Sequence, residues 1–157
     1  MVSDSNVLER LQHILDFQMN DITNALHKVN ANFLVAQGCM HNIEFLGGVR
    51  NGELGIRGKV ESRFKEGVRL LGGEYTEFGV DNIYELRNSL THEYLPKVKT
   101  FKSIVLSNVW TEIRTGRAIT FDPNTSVIRI NLAKLVNDVE QAGVRLRNEI
   151  MQNIKII

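Results

Sequence analysis

Arg87, Asn88 and His92 lie in the run Tyr84-Glu85-Leu86-Arg87-Asn88-Ser89-Leu90-Thr91-His92-Glu93-Tyr94-Leu95-Pro96 and place a fixed cation, an amide and a titratable imidazole within two turns of one predicted helix. An arginine holds phosphate through a planar fork of N–H donors, and a histidine changes charge near neutral pH, where it can take or return a proton. Together these side chains have the chemistry of an anion site at which a proton moves.

Each residue turns a helix by about 100°, so Ile83, Leu86 and Leu90 fall on one apolar stripe that should face a core. Measured from the centre of that stripe, Arg87 and Tyr94 lie roughly 50–70° to one side, and Asn88 and His92 lie nearly opposite it. The polar set therefore points away from the core of its own helix. A helical histidine alone is more often a surface or core side chain with a satisfied hydrogen bond, but Arg87 and Asn88 beside it favour a site.

Periodicity and punctuation outline the elements that position this helix. Leu8, Leu11, Leu15, Ile22, Leu26 and Val29 recur at helical spacing and predict one long amphipathic helix over residues 4–30. A second helix is expected from about Asn32 to Phe45, ended by Gly47-Gly48. Gly52, Gly55 and Gly58 punctuate a loop, and Val60, Phe64, Val68 and Leu71 predict a third helix over residues 60–71, stopped by Gly72-Gly73. Gly58-Lys59 is not a phosphate-binding loop, because Glu53 stands where a glycine is required and Val60 where Ser or Thr is. Asp81 is the expected N-cap of the motif helix and Pro96 its terminator. Ile104-Val105-Leu106, Ala118-Ile119-Thr120-Phe121 and Val127-Ile128-Arg129-Ile130 are short apolar or β-branched runs separated by Thr115-Gly116 and Asp122-Pro123-Asn124-Thr125. Leu132, Leu135, Val139, Leu146 and Ile150 then restore helical spacing. The expected fold is mainly α: an antiparallel helical bundle with a small antiparallel β insert, at about residues 100–130, before the last helix. At 157 residues and 43% hydrophobic content, residues 1–157 are sized for a single domain.

The run Arg87-Asn88-Ser89-Leu90-Thr91-His92 resembles the signature of the HEPN superfamily, helical domains that include many metal-independent ribonucleases: Arg, a polar residue that is often Asn, a few variable positions, then His near a helix end. With Tyr94 the pattern is similar to that of HEPN toxins paired with nucleotidyltransferase antitoxins. The stretch from Asn32-Phe33-Leu34-Val35-Ala36 to Ile43-Glu44-Phe45-Leu46-Gly47-Gly48 resembles the helix that precedes the motif in some such proteins. The resemblance covers the helical part of the chain and leaves residues 100–130 without a counterpart. It implies a metal-independent RNA endonuclease, of defence or toxin type, that uses no cofactor and acts as a homodimer. In that reading His92 is general base on the ribose 2′-hydroxyl or general acid on the leaving 5′-oxygen. Arg87 stabilises charge on the phosphorane, and Asn88 orients His92 or the phosphate. One histidine cannot easily do both tasks, and a two-fold axis near the outward face of the motif helix would bring two Arg87/His92 sets to one phosphate.

Two alternatives stay open. The chain could be a toxin regulated by a nucleotidyltransferase that modifies Tyr94, seven residues from Arg87 and so on the same side of the helix, where a bulky anionic adduct would cross the cation. It could equally be a non-catalytic dimerisation or nucleotide-binding module, in which Arg87 pairs with Glu85, Glu93 or Glu74 and His92 caps a helix end.

Composition limits the other classes. A net charge of +1 argues against holding nucleic acid by bulk electrostatics, but the charge is unevenly spread. Residues 1–48 carry two basic and five acidic side chains, residues 50–69 six and three, and residues 97–117 five and one. Lys97, Lys99 and Lys102 follow the motif directly and are expected to attract RNA phosphates, whereas residues 50–69 read as a solvated charged segment. His13 with His27, and His41 with Glu44, lack the further ligands a zinc or di-iron site needs, so no metal is expected. Cys39, the only cysteine, reads as a small core hydrophobe. No stretch approaches the roughly 20 apolar residues of a membrane span and the N-terminus lacks the order of a secretory signal, so a cytoplasmic protein is expected. Trp110, Tyr75 and Tyr84 could stack bases but are more often core.

Overall fold

The computed structural model describes residues 4–29, 31–101, 103–109 and 116–156. The N-terminal helical segment comprises α1 (Asp4–His13), a π-helical turn (Ile14–Gln18), α2 (Met19–Asn24) and a second π-helical turn (Ala25–Val29). It is followed by α3 (Asn32–Asn51), α4 (Val60–Leu71), α5 (Gly73–Phe78) and α6 (Val80–His92), then strands β1 (Ser103–Ser107), β2 (Ile119–Asp122) and β3 (Val127–Asn131), and finally α7 (Leu132–Ile156). Helices and sheet contribute to one hydrophobic cluster that includes Leu11, Ile43, Phe64, Leu90, Ile128 and Leu146. The fold is thus mainly α with a small sheet before the last helix. Among the described residues no helix is long and apolar enough to cross a membrane.

The first segment follows the expected course with a different buried face. Leu11 and Leu26 are buried as the 3.6-residue spacing predicts, but Ile14 and Met19 are buried where that spacing puts Leu15 and Ile22. The π-helical turn explains the change, because its wider turn lets Ile14 and Met19, five residues apart, share one face.

α3 runs straight through Gly47-Gly48, and Gly52, at φ +65°, ends it instead. Gly47 and Gly67 are where α3 and α4 touch. A Cβ on Gly47 would lie 1.7 Å from the Arg63 carbonyl oxygen, and one on Gly67 would lie 1.9 Å from that of Ile43. The glycines therefore serve a backbone-to-backbone crossing, and that crossing brings Glu44 of α3 beside Arg63 of α4.

Gly79, not Asp81, is the N-cap of α6, and Asp81 sits in the first turn, paired to Lys65 at 2.6 Å. Ile83, Leu86 and Leu90 are buried as the stripe requires. The helix stops at His92, before Pro96 can act. Ser89 holds the turn: its carbonyl accepts the Glu93 N–H at 2.9 Å and its hydroxyl accepts the Lys97 N–H at 3.0 Å. Tyr94 takes φ +56°, the left-handed region, and so leaves the helix.

The sheet order is β1-β3-β2. β2 and β3 form the antiparallel hairpin expected from Asp122-Pro123-Asn124-Thr125, with Asp122 opposite Val127. β1 pairs with β3 in parallel, Ser103 opposite Val127, so the sheet is mixed rather than wholly antiparallel. β3 is the central strand, with β1 and β2 on its opposite edges. Asn131 joins the sheet to α7: its side-chain oxygen accepts the Ala133 N–H at 3.2 Å as an N-cap and the Val109 N–H at 3.1 Å, while its amide donates to the Val109 carbonyl at 2.9 Å.

Candidate anion and proton-transfer site

The motif helix does not present Arg87 as a free cation. Arg87 donates to Glu44 Oε2 at 3.0 Å, and Arg63 donates to Glu44 Oε1 at 2.7 Å, so one carboxylate of α3 is shared between guanidinium groups from α6 and α4. The three side chains are only 14–17% exposed. Arg63 also donates to the Ile56 carbonyl at 2.9 Å, which ties the loop between α3 and α4 to the same cluster. Two fixed cations and one carboxylate leave an excess of one positive charge before any histidine is counted.

Asn88 lies against this cluster, its side-chain oxygen accepting an N–H of Arg87 at 3.0 Å. Its oxygen thus positions the arginine rather than His92. The remaining amide N–H groups make no hydrogen bond among the described residues, which suits them to an incoming oxygen. His92 is the last residue of α6 and is exposed, with no hydrogen bond or ion pair among the described residues. The helix thus carries a held cation and an open imidazole on adjacent turns.

The other sequence-derived candidates are placed differently. Tyr94 does not share a helical face with Arg87, because the helix has already ended; it is 70% exposed, and its ring lies 6.2 Å from that of Phe33 at the start of α3. Glu85, Glu93 and Glu74, considered as partners of Arg87, are engaged elsewhere: Glu85 accepts the Lys99 N–H at 2.7 Å, Glu93 lies 3.5 Å from the Lys97 ammonium, and Glu74 accepts the Ile119 N–H at 2.9 Å. Lys97 and Lys99 are exposed beyond the helix end, and Lys102 and Trp110 lie outside the described residues. The basic segment 50–69 is extensively ion-paired, through Arg50 to Glu149, Lys59 to Glu53, Arg63 to Glu44, Lys65 to Glu61 and Asp81, and Arg69 to Glu66. Cys39 is fully buried, and burial pushes its thiol up to about 12. That leaves it inert as a nucleophile.

Glu44 and Arg63 are the site residues that periodicity did not reveal. A signal for Glu44 was present, since Gln37, His41 and Glu44 recur at i, i+4 and i+7 and form a polar stripe along α3. Gln37 confirms which way that stripe faces, donating to the Leu90 carbonyl of α6 at 2.9 Å. Compared with protein-family models, with curated proteins and with solved structures, the chain matches none.

Proposed function

We propose that this chain is a HEPN-type, metal-independent RNA endonuclease. The observation that carries the reading is the combination of an arginine held in place by a carboxylate, Arg87 on Glu44, with an exposed imidazole, His92, one turn further along the same helix. An arginine already fixed in orientation needs little reorganisation to meet charge that develops on a phosphorane. His92 exchanges protons with the ribose 2′-hydroxyl or the 5′-oxygen, and the free N–H donors of Asn88 bind a phosphate oxygen. Lys97, Lys99 and Lys102 guide the RNA strand beyond the helix end.

Cleavage by acid–base chemistry needs a second proton-transfer group. In a homodimer whose two-fold axis runs beside the outward face of α6, the partner's His92 would supply it. Tyr94 and Leu95, just past the end of that helix, and Leu34, next to the Phe33 that Tyr94 meets, are exposed by 70%, 59% and 62% and would be covered by such a contact. The exposure of Tyr94 also favours a second reading, a toxin silenced by a nucleotidyltransferase antitoxin, because its hydroxyl is open to a modifying enzyme two residues from His92. The engagement of Arg87 by Glu44 is what a non-catalytic dimerisation or nucleotide-binding module would also require.

Incubating the purified chain with structured and single-stranded RNAs in EDTA separates these readings. Cleavage is expected in chelator, lost in His92→Ala and strongly reduced in Arg87→Lys, which keeps the charge but not the fork. No cleavage by well-folded wild-type protein, or full activity in His92→Ala, would refute the endonuclease.

A further inference from the structure

Gln37, His41 and Glu44 span only about 60° of the circumference of α3. Both ends of this stripe are pinned to α6, Gln37 through the Leu90 carbonyl and Glu44 through Arg87. Residue 37 meets residue 90 and residue 44 meets residue 87, so the two helices run antiparallel here. That register sets His41 alongside the segment from Arg87 to Leu90, where Asn88 lies. Its chain neighbours Met40 and Asn42 are buried, but His41 is exposed, so its imidazole meets solvent on the stripe that Gln37 and Glu44 pin to α6. Like His92, it makes no hydrogen bond or ion pair among the described residues. Two exposed imidazoles, His41 on α3 and His92 at the end of α6, thus lie on the two helices that meet at the anchored arginine.

We propose that His41 is the second proton-transfer residue, dividing the acid and base roles with His92 within a single subunit. This rests on the RNA-cleavage reading above and changes only the source of the second imidazole. The 2′-oxygen gives its proton to one imidazole and forms a bond to phosphorus. The bond from phosphorus to O5′ breaks, and O5′ takes a proton from the other residue, an imidazolium. The products are a 2′,3′-cyclic phosphate and a 5′-hydroxyl, and no oxidant, reductant or metal enters the balance.

The test compares ordinary RNA with RNA carrying one 5′-bridging sulfur at the cleaved linkage. A thiolate leaves without help from an acid because its conjugate thiol has a low pKa. On ordinary RNA in EDTA, His41→Ala and His92→Ala should each lose about 10²–10⁴-fold in kcat. On the sulfur-bridged substrate one of the two variants, the one lacking the acid, should recover to within about tenfold of wild type while the other stays impaired. A purely structural role for His41 could not produce recovery that depends on the leaving group. His41→Gln, together with circular dichroism and melting temperatures, guards against misfolding. Wild-type activity in His41→Ala and His41→Gln, or equal losses on both substrates for both histidine variants, would overturn the role of His41 while leaving the endonuclease standing. Absence of any cleavage by the folded wild-type chain would instead remove the endonuclease reading, and the role of His41 with it.

Discussion

Replacing Glu44 is expected to damage both the fold and the chemistry. Glu44→Ala removes two charge-assisted hydrogen bonds, to Arg63 at 2.7 Å and to Arg87 at 3.0 Å, and leaves two guanidinium groups facing each other with little solvent. Each such bond contributes about 1.5–3 kcal/mol where water is excluded, and the residual exposure of 14–17% favours the lower part of that range. The expected loss is therefore roughly 2–4 kcal/mol, which for a domain of this size lowers the melting temperature by roughly 4–16 °C. Glu44→Gln retains one acceptor and the shape of the side chain and should lose about half as much. Denaturant titration of Glu44→Ala, Arg63→Ala and the double variant, read as a cycle, should give a coupling of about 1–2 kcal/mol. RNA cleavage should fall in kcat more than it rises in KM, because Arg87 is misplaced rather than removed. A destabilisation below about 0.5 kcal/mol with additive effects would show that the pairs behave as ordinary surface salt bridges, and would refute the idea of a carboxylate that anchors the arginine.

The crossing of α3 and α4 should tolerate no side chain: Gly47→Ala or Gly67→Ala, each placing a Cβ within 2 Å of a backbone oxygen, is expected to cost roughly 3 kcal/mol and to broaden or abolish the cooperative melt seen by circular dichroism. Stability should also fall at alkaline pH. Burial raises the Cys39 thiol from 9.0 to about 12, and burial first, then the charge of Asp138, raises the Tyr75 phenol far above 10.0. Both groups lose protons more readily in the unfolded chain, so the stability present below about pH 9 should drain away as pH rises toward 12, and Tyr75→Phe with Cys39→Ala should make the plot of melting temperature against pH shallower. Replacing Lys97, Lys99 and Lys102 by Gln should raise KM for RNA, leave kcat nearly unchanged and reduce the slope of log affinity against log salt by roughly 2, measured by fluorescence anisotropy. An unchanged slope would move the RNA path elsewhere.

What the chain alone determines is whatever depends on neighbours within a few residues. Ile83, Leu86 and Leu90 are buried at the spacing that announced them, the strand at Val127–Asn131 lies where β-branched residues alternate, and the 60–71 helix and the final helix start and stop close to their expected ends. The outward placement of His92 also follows from its angle on the helix, a local property of backbone geometry. Tertiary structure alone decides which surfaces meet. Gly47-Gly48 looks like a helix stop by composition, yet it is an interior crossing, because α4 packs there closely enough that only hydrogen fits. β1 could not be known to run parallel to β3, since strand pairing depends on the path of the connecting chain rather than on the strand itself. Arg87 belongs to Glu44, 43 residues earlier, and Glu44 to Arg63, 19 residues later. Ion pairs between helices are set by the register of their packing, and periodicity along one helix cannot show which charges a neighbouring helix will bring. The motif was therefore legible as a pattern of side chains, and its anchoring became visible only when the fold brought three helices to one carboxylate.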